Sequence, residues 1–124
     1  MRSNHSNICD LIVDQGATVH RVFAIKNAAR KALTLDGYVA RMQVRNWDVE
    51  TRDPELIIVA EYTTENGYIS IDAAKGSIIL LIPPAIMAAY EPKSYVYDLE
   101  VESSTGETTR IVQGKFIVRA EVTR

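Results

Sequence analysis

The stretch from Ser94 to Val118 constrains the fold more than any other. It reads Ser-Tyr-Val-Tyr-Asp-Leu-Glu-Val-Glu over 94–102, breaks at Ser103-Ser-Thr-Gly106, and resumes over 107–118. Tyr95, Tyr97, Leu99 and Val101 alternate with Val96, Asp98, Glu100 and Glu102, the period of two that marks a half-buried strand. Gly106 lets the turn adopt positive φ. This pattern predicts a β-hairpin, and with it a small all-β domain.

The rest of the chain carries the same punctuation. Cys9 to Val13 predicts a first strand and Asp14-Gln-Gly16 a turn. Val19 to Ile25 alternates, except that Arg21 interrupts the apolar side. Residues 26–32, rich in Ala, Lys and Arg, fit a helical turn or a charged loop equally well. Tyr38, Ala40, Met42 and Val44 alternate with Val39, Arg41, Gln43 and Arg45, another strand. Leu56 to Tyr62 and Tyr68 to Ile71 are further strands, separated by a turn at Asn66-Gly67. Ser77 to Ile82 is almost continuously apolar, as expected of a strand buried on both faces or against a neighbour. Pro83-Pro84 ends it and starts a single helical turn over 85–90. Gly114 predicts a bulge in the return strand of the hairpin. The expected architecture is an immunoglobulin-like β-sandwich of about seven to eight short strands, with one or two short helical turns. A flexible arm over 1–7 and a short polar tail over 120–124 would flank a sandwich over 8–119.

Composition narrows the function classes. A chain of 124 residues forms one domain, and its 47% hydrophobic content supports a core without metal or disulfide. The net charge is −2, with no basic stripe of the kind that nucleic acid requires. Cys9 is the sole cysteine, so no intrachain disulfide forms; with Ile8 and Leu11 close by in the sequence, it is expected to be a buried, inert thiol. The polar start, Met1-Arg-Ser-Asn-His-Ser-Asn7, lacks an apolar signal core, and the apolar run over 78–89 is too short for a bilayer. The expectation is a protein made in a reducing cytoplasm, with no membrane partner.

No catalytic or metal-binding motif stands out. His-Glu-x-x-His, Cys-x-x-Cys, the phosphate loop and Gly-x-Ser-x-Gly are all missing, and His5 and His20 are too few for most zinc sites. The expectation is a protein that is not an enzyme, with no catalytic residues, metal or cofactor. Candidate contact residues are Arg41 and Arg45, which share a strand face and could clasp an acidic partner or simply be solvated. Trp47 in a polar connection is another, as core plug or interface anchor. Ile86, Met87 and Tyr90 on the helical turn carry the same two readings.

Three runs together resemble a known family. Asp10-Leu-Ile-Val-Asp-Gln-Gly16-Ala-Thr18, then 33–45 with Asp36-Gly37-Tyr38, then Tyr95-Val-Tyr-Asp98-Leu-Glu100 are similar, in order and spacing, to the N-terminal domains of phage baseplate upper proteins. The resemblance spans about residues 10–118 and implies an immunoglobulin-like sandwich with no catalytic residues. It implies a virion structural protein in the tail, baseplate or fibre-attachment region, made in the host cytoplasm and present in multiple copies or as a homo-oligomer. Its partners would be other phage structural proteins. The 124 residues of this sequence hold no counterpart of the linker, coiled coil or appendage-binding domain that follows in that family. A capsid decoration or neck joining protein is an alternative. A carbohydrate-binding module is a further one, which would need exposed Trp47, Tyr62, Tyr68 or Tyr90.

Overall fold

The computed structural model describes residues 7–25, 34–46 and 58–121. Trp47, the arm up to residue 6, the segment 26–32 and residues 122–124 lie outside them. The described residues form strands β1 (Asn7–Ile8), β2 (Leu11–Asp14), β3 (Val19–Ala24), β4 (Val39–Asn46), β5 (Ile58–Thr63), β6 (Ile69–Asp72) and β7 (Ser77–Ile82). Helix α1 (Pro84–Ala88) follows, then β8 (Ser94–Glu102) and β9 (Thr108–Arg119).

The expected hairpin is β8 and β9, antiparallel from Ser94 opposite Ile117 to Glu102 opposite Thr108. It forms the centre of a larger sheet. β4 and then β5 add on the β8 side, while β1 and β2 run parallel to β9 on the other. The second sheet has the order β3, β7, β6, all antiparallel. Inward residues of both sheets make one core, in which Phe116, Met42, Val44, Ile78, Ile82 and Met87 are fully buried. Two twisted sheets packed face to face over such a core are an immunoglobulin-like β-sandwich, as expected. The Tyr95 hydroxyl donates to the Glu91 carbonyl at 2.6 Å, the tyrosine corner of that architecture.

Gly114 is not a bulge. The extra residue of β9 is Ile111, where the register steps from Arg110 opposite Glu100 to Val112 opposite Leu99. Gly114 instead lies between Tyr97 of β8 and the break separating β1 from β2. In an unbroken parallel ladder the Cys9 carbonyl would accept from the Lys115 N–H. Here that N–H donates to Asp10 Oδ1 at 2.9 Å, and the freed Cys9 carbonyl accepts from the Tyr97 hydroxyl at 2.5 Å. A Cβ on Gly114 would stand 2.8 Å from the Cys9 carbonyl carbon and closer still to its oxygen. The bare glycine is what permits this exchange of acceptors. Cys9, expected to be buried, has an exposed side chain as a result of its edge position.

Arg21, which broke the alternation of β3, reaches from one sheet to the other. Its Nη2 donates to the Ile12 carbonyl on β2 at 2.9 Å and its Nη1 to the His20 carbonyl at 3.3 Å. One guanidinium thus satisfies carbonyls on two neighbouring sheet edges.

Helix α1 closes one end of the sandwich. Pro83 caps it and Pro84 opens it, with φ already set for a helix. The Tyr90 ring packs edge-on to Tyr95 at 5.4 Å and against Phe116 at 5.5 Å, and its hydroxyl meets that of Tyr62 at 2.6 Å in the core. Each phenol supplies the other's partner. Tyr62→Phe or Tyr90→Phe alone is expected to cost about 1–2 kcal/mol by orphaning a buried hydroxyl, and the double variant less than the sum. Urea unfolding of the three variants measures that coupling.

Candidate interaction surface

The two sheets turn very different outer faces to solvent. On the larger sheet the register sets polar side chains in rows. Gln113, Asp98, Gln43 and Glu61 lie side by side across β9, β8, β4 and β5, and Arg110, Glu100 and Arg41 form the adjoining row. Arg41 pairs with Glu100 and stands 3.9 Å from Glu61. Its hydrogen bond to Glu100, and then the charge of that carboxylate, push the guanidinium further above its ordinary range. Arg45 Nη1 is 3.2 Å from Asp98 Oδ2, the Arg110 Nε is 3.5 Å from the same oxygen, and Arg45 also bonds Gln43.

Arg41 and Arg45 do share a face, but each is neutralised by a carboxylate of the next strand. Strand β8 supplies Asp98 and Glu100 at the positions opposite and diagonal to them, so neither arginine stands ready for a phosphate. Asp98, an outward residue of β8, is buried beneath Arg45 and Arg110. The face is a self-satisfied charge lattice.

The helical turn is corrected as a contact site. Met87 and Tyr90 are buried in the core and Ile86 packs against it, because α1 folds inward as the plug of the sandwich. Burial of Tyr62 and Tyr90 also removes them as stacking platforms for a sugar. Desolvation, above all, raises both phenols above the ordinary tyrosine value. Trp47 lies outside the described residues. Among those residues no group of three or more His, Cys, Asp or Glu is placed to hold a metal, and no helix is long and apolar enough to cross a membrane.

The outer face of the smaller sheet was not singled out from the sequence. Val22 and Ile79 are cross-strand partners there, and Leu81 follows Ile79 along the strand. Val22 is 57% exposed and Leu81 50% exposed, while Ile79 between them is half-buried. Ala24, Ser77 and Ser70 surround them, with His20 and Asp72 at the corners. The continuous apolar run of 78–82 was the available signal. It reads as a strand buried on both faces, yet the described residues cover only the inner face of β7. Three adjacent aliphatic side chains on one sheet face, rimmed by small or polar ones, are the surface best suited to contact another protein.

No family model and no curated protein matches the chain. Among solved structures it is similar to a chicken TCR, described as a "crystal structure of chicken TCR for 2.0", with a TM-score of 0.52 and 12% identity over 96% of this chain. It spans 56% of the length of that TCR chain. It also aligns with CopC from Methylosinus trichosporium OB3b at 15% identity, covering 87% of this chain and 97% of that one, but with a TM-score of 0.40. At 12% identity the likeness to the TCR is one of fold, and that fold is the immunoglobulin-like β-sandwich.

Proposed function

We propose that this domain is a non-enzymatic structural protein of a tailed-phage particle, in the tail, baseplate or fibre-attachment region, and that it works by protein–protein assembly. The observation that carries the assembly reading is the aliphatic patch of Val22, Ile79 and Leu81, which the described residues leave open to solvent. Burying about 25 cal/mol per Å² of such surface favours association, and repetition on a symmetric particle multiplies weak contacts. The placement in a phage particle rests on the resemblance of the three sequence runs.

The test is an antibody raised against the domain, applied to particles from the cells that make it and viewed by electron microscopy. Label at one level of the tail is the expected result. Label on the capsid or neck would replace this placement with the decoration or joining role. Unlabelled particles, with all the protein free in the supernatant, would overturn the reading.

A further inference from the structure

We infer that the occupant of the aliphatic face is a second copy of this chain, its three-stranded sheet laid crosswise on the first. This rests on the reading of that face as an assembly surface and names the partner. The registers place eight outward residues on a three-by-three grid whose ninth position, beside Leu81, is Tyr68, its ring packed edge-on to Tyr62. His20 faces Leu81 across strands, Val22 faces Ile79, which in turn faces Ser70, and Ala24 faces Ser77, which faces Asp72. Ile79 is the centre of the grid. His20 and Asp72 occupy diagonally opposite corners.

Two copies meeting through a two-fold axis must have that axis in the plane of contact. If it runs through Ile79 along the diagonal that starts at Ala24, His20 of each copy lies over Asp72 of the other. Val22 then lies over Ser77, and Leu81 over Ser70. Val22 and Leu81 each meet a serine, Ile79 meets its own copy on the axis, and an imidazole N–H meets a carboxylate twice. The sheets cross near 90°, one of the two regular ways in which sheets pack. An axis parallel to the strands sets Ala24 over Asp72, and an axis perpendicular to them sets Val22 over Val22 and His20 over Ala24. Neither brings His20 to Asp72.

The grid covers roughly 300 Å² per copy, from strand spacing and rise. That is well short of the ~800 Å² per partner of a standard stable interface. Self-association is therefore weak in free solution and becomes effective where copies are already held close.

Sedimentation velocity over a concentration series tests this. The native protein is expected to be monomeric at low micromolar concentration, with its mean mass rising towards that of a dimer in the hundreds of micromolar. Val22→Ser with Leu81→Ser should abolish the rise. His20→Glu alone and Asp72→Lys alone should each weaken association by about fivefold, since two exposed polar pairs are lost together. His20→Glu combined with Asp72→Lys should restore it, and His20→Lys should leave it intact. All these positions face outward, so thermal unfolding of each variant serves as the folding control. A native protein that stays monomeric throughout, or a double charge reversal no better than either single one, would overturn the inference. Tail labelling by the antibody together with a strictly monomeric protein would leave the assembly reading standing and remove only the second copy.

Discussion

Gly114→Ala should unfold the N-terminal edge of the larger sheet. The added methyl group would collide with the Cys9 carbonyl and approach Asp10 Oδ1 to 2.9 Å. The obstacle is mostly backbone, so no side-chain rotation relieves it. Either β1 and β2 lift away from β9, or the strand returns to an ordinary ladder and the Tyr97 hydroxyl loses its acceptor. Both routes are costly. The expected loss is about 3 kcal/mol, an overpacking term plus an orphaned hydroxyl, or roughly 10 °C in Tm. Hydrogen exchange locates it: amides of residues 7–14 should lose protection first, while those of the β8–β9 hairpin keep theirs. A variant with unchanged Tm and unchanged protection over 7–14 would show that the close approach is not needed. Tyr97→Phe removes the same hydroxyl without the collision and is expected to cost only about 1 kcal/mol.

Alkali should unfold the domain through its tyrosines. Desolvation is the leading cause that raises Tyr62, Tyr90, Tyr95 and Tyr97 above the ordinary value of 10.0. These phenols keep their protons in the native state at a pH where the unfolded chain releases them. Their contribution is fully present below pH 10 and is lost as pH rises beyond it, because there the native state binds more protons than the unfolded one. Each deeply buried tyrosine contributes a slope of about 1.4 kcal/mol per pH unit. Tyr90 and Tyr97, the two most strongly raised, together supply roughly 3 kcal/mol per pH unit. A domain in the lower half of the ordinary range of about 5–15 kcal/mol has little left three units above 10. Phenolate absorbance and circular dichroism should then change in one cooperative step. Ionisation of all the tyrosines with the far-ultraviolet spectrum still native would contradict the burial described for these rings.

The features that local pattern reveals are those set by local chemistry. The β8–β9 hairpin follows from alternation and a glycine turn, and α1 from two prolines at its start. Gly114 was conspicuous as a glycine in a strand, but its neighbour lies 105 positions away in the chain, and no local pattern shows Cys9 beside it. Arg21 looked like a flaw in a strand until β2 supplied the Ile12 carbonyl. Arg41 and Arg45 were visible as a pair, whereas their neutralisation depends on which strand lies alongside. Met87 and Tyr90 share a short amphipathic turn whose sequence fits either burial or display, and the sandwich end decides for burial. The aliphatic face went unremarked because a continuous apolar run reads as fully buried.

The guanidinium of Arg21 also bears on the directions in which copies can add. A sheet with a bare edge can lengthen without limit, one strand after another, and such growth ends in fibres. Where Arg21 spans β3 and β2, that route meets an arginine already bonded to a carbonyl on each side. A newcomer there would have to displace a charged, doubly bonded group before forming its first backbone bond. Contact through a sheet face has the opposite character, since a two-fold pair uses up its own surface and stops. The residue that spoils the alternation of β3 thus favours closed pairs over open-ended chains.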